Sequence, residues 1–191
     1  YETKSWAPGE GGAITAGLYE AYEVQSVRIP DAKPHPTKLV QSAAMASVAP
    51  PRPSYRPHLP PRVVADGLLS DAQLESVIYA GEAHAGHLAG AYRVDAEGAV
   101  RFRRGWFLGD GTGAGKGRQV AGIIADNWLK GRRRAVWISK SDKLVEDAQR
   151  DWTAIGGDRL QIVPLARFRQ GTPIPLSEGI LFTTYATLRG E

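Results

Sequence analysis

The sequence has no cysteine, and its uninterrupted apolar runs are short. The absence of cysteine excludes disulfide scaffolds, thiolate metal sites and cysteine nucleophiles, and it fits a reducing, cytoplasmic compartment. Because runs such as 121–125 are too short to cross a bilayer, no membrane partner is expected. The chain also lacks an initiator methionine and an apolar leader. Since it starts at Tyr1 and stops at Glu191, we expect it to be a piece of a longer protein.

Acidic residues are scarce in one part of the chain. Residues 101–134 contain 9 basic and 2 acidic side chains, whereas residues 1–100 contain 8 and 11, and residues 135–191 contain 7 of each. A local excess of positive charge favours binding of polyphosphate or nucleic acid. The alternative is a solvated basic face without a ligand.

Proline divides the chain into two parts, since 10 of the 13 prolines lie before residue 62. Proline-rich segments cannot form helix interiors or central strands. We therefore predict an extended arm or linker over residues 1–65, with one helical turn near 39–47. A globular nucleotide-binding lobe is predicted over residues 66–191.

Apolar periodicity predicts alternating helices and strands in the second part. Ser70 is a suitable N-cap for the first helix. The predicted helices cover 71–88, 115–130 and 142–155, the predicted strands cover 105–108, 135–139, 160–164 and 179–184, and a hairpin joins 91–94 to 100–103. Strands that alternate with helices indicate an α/β fold with a parallel sheet and helices on both faces.

A glycine-rich loop between a predicted strand and a predicted helix points to phosphate binding. Glycines let the backbone approach an anion closely, and the following helix directs free N–H groups at it. Lys116 would supply the positive charge for the β- and γ-phosphates, which makes it the catalytic candidate. A glycine-rich linker is the alternative. The predicted nucleotide-binding residues are Asp110, Gly111, Thr112, Gly113, Ala114, Gly115, Lys116, Gly117 and Arg118.

This loop departs from the standard P-loop at two positions. Asp110 replaces the first glycine, and Gly117 replaces the serine or threonine whose hydroxyl binds Mg²⁺. Phosphate binding through backbone N–H groups tolerates both changes, but Mg²⁺ would have to be held by phosphates, water and carboxylates from elsewhere. The segment 109–114 also fits a dinucleotide-binding pattern. That alternative is disfavoured because no carboxylate ends the next predicted strand.

Four blocks in this order resemble the strawberry notch family, within superfamily 2 of the helicase-like ATPases. They are 69–75 (LSDAQLE), 107–118 (FLGDGTGAGKGR), 135–141 (AVWISKS) and 182–188 (FTTYATL). The resemblance covers roughly residues 50–191 and implies a RecA-like P-loop lobe. The Gly-Lys-Gly-Arg ending of the loop is itself typical of the family. Bacterial or phage members resemble parts of large proteins that also carry a second RecA-like lobe and, in some, a methyltransferase domain.

The resemblance also implies roles for individual residues. Gln73 falls where such proteins read adenine with a glutamine amide, and the bound cofactors would be ATP and Mg²⁺. Nucleic-acid contacts, with DNA expected rather than RNA, fall on Ser139, Lys140, Ser141, Thr183 and Thr184. The alternatives for these residues are an exposed helical glutamine, an N-cap at Ser141 and ordinary strand threonines. No metal site is predicted from this chain's own side chains.

Superfamily 2 enzymes also need an Asp-Glu box and arginine fingers, and neither is present in residues 1–191. We therefore expect this chain alone to bind ATP weakly and to hydrolyse it negligibly. The leading hypothesis is the ATP-binding lobe of a nucleic-acid-dependent ATPase. The alternatives are a catalytically inert, nucleotide-gated interaction module in transcription regulation or assembly, and a P-loop phosphotransferase.

Overall fold

The structure, a computed structural model, describes residues 1–6, 19–89, 92–95 and 98–190. The strands are β1 (Glu2–Thr3), β2 (Tyr19–Ala21), β3 (Val27–Arg28), β4 (Val40–Ser42), β5 (Tyr92–Asp95), β6 (Gly98–Val100), β7 (Arg134–Ser139), β8 (Ile162–Pro164) and β9 (Gly179–Thr184). The α-helices are α1 (Ala43–Ala46), α2 (Pro61–Ala65), α3 (Asp71–Ala85), α4 (Lys116–Leu129), α5 (Val145–Ala154) and α6 (Tyr185–Arg189). Short 3₁₀ turns occupy Asp142–Leu144, Arg159–Gln161 and Leu165–Arg167.

A three-stranded parallel sheet with the order β7-β9-β8 forms the centre of the fold. The central strand β9 is almost fully buried because it pairs on both sides, and Ile180 and Phe182 belong to the core. This sheet confirms the α/β class and the predicted strands at 135–139, 160–164 and 179–184. The remaining described strands form antiparallel pairs, β1-β3, β2-β4 and the predicted hairpin β5-β6, whose turn at 96–97 lies outside the described residues.

The faces of the edge strand β7 differ in burial. Ala135 and Trp137 pack against the core that contains helices α4 and α5, whereas Val136 is 60% exposed. The prediction that this strand is buried is therefore wrong for one of its two faces. Side chains alternate across a strand, so helices that cover one face leave every second residue in solvent.

The strand predicted over residues 105–108 is also wrong. The segment has no regular secondary structure, and Phe107 is 87% exposed. An apolar run of this length forms a strand only where a neighbouring strand and a covering layer are available. In the described part of the chain, neither reaches this segment.

Helices α3 and α4 confirm two of the predicted helices, and α5 with its preceding 3₁₀ turn corresponds to the third. Ser70 caps α3 as expected: its side chain accepts from the Gln73 N–H, and the Gln73 side chain accepts from the Ser70 N–H. This reciprocal arrangement is a capping box. The helices α3 and α4 approach closely at Gly122, where an added Cβ would lie 3.0 Å from Val77 of α3.

Of the first 65 residues, the described ones form short strands and helices, and some of them contact α3 and α4. Tyr55 lies so close to α3 that a Cβ at Gly81 would be 2.0 Å from its ring, and its hydroxyl donates to Asp126 of α4 at 2.5 Å. Tyr55 therefore anchors the segment around it to both helices. The division of the chain at residue 65 stays a prediction.

Glu75 in α3 is a buried carboxylic acid that links this helix to the N-terminal segment. It accepts hydrogen bonds from the Tyr22 hydroxyl and from Ser26 Oγ. Burial raises the pKa of Glu75 to about 7. The positive charge of Lys4 lowers this pKa and the negative charge of Asp110 raises it, but burial has the largest effect. Since the unfolded chain titrates lower, near 4.5, the folded state retains the proton over that interval.

This raised pKa predicts a pH-dependent stability. As the pH rises from about 4.5 to about 7, the unfolded state loses its proton first, so the free energy of unfolding should fall, by up to about 3 kcal/mol from this group, and then level off. Glu75→Gln should remove this dependence and make the protein more stable than wild type at pH 8. Urea unfolding at pH 5 and pH 8 measures both effects, and equal pH slopes for the two proteins would contradict the prediction.

Candidate nucleotide-binding site

The predicted P-loop precedes α4, and its backbone leaves space for a ligand. Gly113 and Gly115 have φ values of 91° and 69°, a left-handed conformation that disfavours other residues. A Cβ at Gly111 or Gly113 would meet nothing within 4 Å. The loop therefore has the curvature and the open side that a phosphate chain requires.

Unpaired backbone N–H groups line the start of α4. Gln119 is the first residue whose N–H forms a helical bond, to the carbonyl of Gly115 at 3.1 Å. The N–H groups of the preceding residues in the first turn have no helical partner. Together with the positive end of the helix dipole, they form an arrangement suited to an anion.

Lys116 occupies the first position of α4, and its ammonium group faces the loop. Nζ donates to the backbone carbonyls of Asp110 at 2.8 Å and Gly111 at 3.0 Å. The side chain is exposed, so a phosphate oxygen or water can replace these carbonyl partners without disturbing the core. The ammonium group is thus already located at the predicted phosphate position.

Gln73, the predicted adenine reader, contacts the P-loop in this structure. Its Nε2 donates to the carbonyl of Ala114 at 3.3 Å, and its Oε1 accepts from the Ser70 N–H at 3.0 Å. The residue is 8% exposed. One amide hydrogen and one oxygen lone pair remain, and the adenine contact stays a prediction.

The Asp151 carboxylate occupies the space that a side chain at Gly117 would need. A Cβ at this position would lie 2.1 Å from Asp151 Oδ2 on α5. The other oxygen of Asp151 accepts from Arg118 Nε at 3.4 Å, and Arg118 also donates to the carbonyl of Leu68 at 3.2 Å. Arg118 therefore connects α4 to α5 and to the segment before α3.

The residues around Gly117 do not fit a Mg²⁺ site of the usual P-loop type. The hydroxyl ligand is absent, and the space that it would need is taken by a carboxylate paired with Arg118. Within the described ranges, no cluster of at least three acidic or histidine side chains could hold a metal ion.

Gly117→Ser, which would restore the standard P-loop residue, is expected to destabilise the protein. The added atoms would displace the Asp151 carboxylate and weaken its partly exposed ion pair with Arg118, which is worth up to about 1 kcal/mol. Gly111→Ser is the matched control, because the space at Gly111 is open. Urea unfolding compares the two variants, and equal stability would contradict the structural reason given for Gly117.

The predicted nucleic-acid residues lie at the carboxyl ends of two paired strands. Ser139 of β7 is in register with Thr184 of β9, and Lys140 follows as an exposed side chain. Ser141 caps the next turn by accepting from the Lys143 N–H at 3.3 Å. Because α4 runs back from the loop to the start of β7, the P-loop lies at the same edge of the sheet.

The two threonines are buried, with 2% exposure at Thr183 and 3% at Thr184. The Thr184 hydroxyl caps α6 by accepting from the Thr187 N–H at 3.1 Å. Contact between these hydroxyls and a polymer would require the side chains to be uncovered. Their predicted role stays a prediction, while Ser139 and Lys140 are the accessible candidates at this edge.

Comparison with known proteins decides the family. A profile described as "P-loop containing NTP hydrolase pore-1" matches residues 34–191. Protein strawberry notch of Drosophila melanogaster is 38% identical over 181 residues, which cover 92% of this chain and 10% of that protein. The chain belongs to the strawberry notch family. Human strawberry notch homolog 1 is 34% identical over 181 residues, covering 92% of this chain and 12% of that protein.

Membership of the strawberry notch family makes the chain a P-loop NTPase domain and confirms the resemblance inferred from the four blocks. The chain is also similar to a plant protein, since protein FORGETTER 1 of Arabidopsis thaliana is 35% identical over 159 residues, covering 81% of this chain and 12% of that protein. The chain spans about a tenth of the length of these relatives. No solved structure matches it. Among the described residues, no helix is both long and apolar enough to cross a membrane.

Proposed function

We propose that the chain is the ATP-binding lobe of a helicase-like, nucleic-acid-dependent ATPase. The observation that carries the proposal is the exposed, glycine-rich loop at the N-terminus of α4, with the Lys116 ammonium group against it. The loop residues Asp110 to Arg118 would hold the triphosphate through backbone N–H groups and Lys116. Mg²⁺ would enter with ATP, held by the phosphates, by water and by carboxylates outside this chain.

The nucleic-acid part of the proposal rests on the sheet edge next to the loop. Ser139 and Lys140 lie there with accessible polar groups, and such groups commonly bind backbone phosphates. The excess of basic residues over 101–134 would add long-range attraction. A second RecA-like lobe, elsewhere in a longer protein, would complete the ATPase, and a DNA strand would lie across both lobes.

The proposal is tested by binding of a single-stranded oligonucleotide, DNA or RNA, at several salt concentrations. Lys140→Gln should weaken binding uniformly across sequences and reduce the salt slope by about one. Lys38→Gln, which also removes an exposed lysine but lies in the N-terminal segment, is the control. If the two variants bind alike, Lys140 does not contact the polymer, and absence of binding by the wild type would refute nucleic-acid recognition by this lobe.

A further inference from the structure

Gln119, on the first turn of α4, connects the two ends of the P-loop. Its Nε2 donates to Asp110 Oδ2 at 2.9 Å and to the carbonyl of Ala114 at 3.0 Å. The residue is 1% exposed, so its bond to Ala114 is protected from water, whereas Asp110 at the other bond is exposed. Its Oε1 is buried without a partner in the described part of the chain. Only the donor half of this amide is therefore used.

The bonds to Ala114 fix the direction of a neighbouring N–H group. The Ala114 carbonyl also accepts from Gln73 Nε2 at 3.3 Å, so one amide from α3 and one from α4 hold the same oxygen. In a planar trans peptide, the carbonyl of Ala114 and the N–H of Gly115 point in opposite directions. With the carbonyl turned into the protein, the N–H of Gly115 faces away from Gln119, toward the side where an anion would bind.

The bond to Asp110 controls a negative charge beside the proposed phosphate site. Lys116 contacts the backbone carbonyl of Asp110, while the carboxylate of Asp110 is held by Gln119. No ion pair joins the Asp110 and Lys116 side chains in the described structure. Released from Gln119, the carboxylate would be free to pair with the ammonium group and compete with phosphate.

We propose that Gln119 is a positioning residue for phosphate binding: it keeps the Asp110 carboxylate off Lys116 and orients the Gly115 N–H toward the anion. This inference rests on the proposed ATP binding. It also accounts for the tolerance of an aspartate at the first position of the P-loop, because the Gln119 amide holds this carboxylate by a hydrogen bond instead of leaving it to Lys116. Because Gln73 also donates to the Ala114 carbonyl, the effect of Gln119 on ATP affinity comes chiefly from its bond to Asp110.

The test uses Gln119→Met, which keeps the buried volume but removes both hydrogen bonds. ATP affinity measured by calorimetry should fall about tenfold, the loss of roughly 1.4 kcal/mol in binding. Asp110→Asn in the Gln119→Met background should restore most of the affinity, because asparagine carries no charge to compete for Lys116.

Two further measurements separate positioning from a general structural role. In the chain without nucleotide, the amide resonance of Gly115 should move in Gln119→Met, while thermal stability changes little. The double variant Asp110→Asn, Gln119→Glu exchanges the two roles, because the amide donor is then at position 110 and the carboxylate acceptor at position 119. Its ATP affinity should be higher than that of Gln119→Glu alone.

The possible failures are distinguishable. If the wild type binds ATP, three results would each overturn the inference. They are an unchanged ATP affinity in Gln119→Met, an unmoved Gly115 amide resonance in that variant, and no rescue of its affinity by Asp110→Asn. Absence of ATP binding by the wild type would overturn the proposed function and the phosphate role of Gln119 together.

Discussion

Lys116→Ala is expected to weaken ATP binding about 10- to 100-fold. A hydrogen bond from an ammonium group to a charged phosphate is worth about 1.5–3 kcal/mol, and each 1.4 kcal/mol is a factor of ten. The side chain is exposed, and its partners are loop carbonyls that water can satisfy. The variant should therefore lose affinity without losing stability.

Lys143→Ala is the control for this effect, because Lys143 is also an exposed lysine near a helix start but lies outside the loop. Calorimetric titration with ATP measures both variants, and thermal unfolding checks that each is folded. Equal affinities would show that Lys116 does not contact the nucleotide.

The same substitution in a longer protein containing this lobe separates two functional hypotheses. An ATPase loses turnover when Lys116 is removed, whereas an inert nucleotide-gated module keeps its binding to partners. The isolated chain should show negligible turnover in either case, because the Asp-Glu box and the arginine fingers are not among its residues. Turnover by the isolated chain at the rate of an intact helicase would contradict this expectation.

Asp126→Ala is expected to produce the largest loss of stability, about 3–5 kcal/mol. The carboxylate is 1% exposed and accepts hydrogen bonds from the Tyr55 hydroxyl at 2.5 Å and from the His58 N–H at 2.6 Å. It also pairs with Lys130 at 3.2 Å. Removing it leaves a largely buried ammonium group and two donors without their acceptor.

Burial and the hydrogen bond to Asp126 raise the pKa of Tyr55, so its hydroxyl stays protonated and donates. Tyr55→Phe should therefore cost less than Asp126→Ala, about 1 kcal/mol, because Asp126 keeps its other partners. Glu178→Ala removes a carboxylate from an exposed pair with Arg133 and should change stability by less than about 1 kcal/mol. Urea unfolding should rank the three variants in that order, and a mild effect of Asp126→Ala would contradict the role of this network.

Local patterns were sufficient to predict the three longest helices and the P-loop from sequence, but not the short helices α2 and α6. Ser70 signals the start of α3, and Gly131, with a φ of 88°, signals the end of α4. These signals depend on residues close in the chain. The strand predicted over residues 105–108 failed, because a strand requires partners that sequence periodicity does not reveal.

The site residues also divide into those that a local motif predicts and those whose contacts depend on the fold. Lys116 and the loop glycines follow from a motif, whereas the contacts of Gln119 and Asp151 depend on how the loop folds and how α4 meets α5. The position of Gln119, one helical turn after Lys116, was a usable signal, since residues at this spacing share a helix face. No local pattern indicates that Tyr55 reaches Asp126 across 71 residues of chain.

The central claim is that backbone N–H groups of the loop bind a triphosphate. The most direct test is to follow the amide resonances of Gly111, Gly113 and Gly115 by NMR during titration with ATP. We predict saturable shifts concentrated at these amides and the first turn of α4, and their loss in Lys116→Ala at the same ATP concentration. Unchanged loop resonances at millimolar ATP, or shifts confined to another surface, would contradict the account.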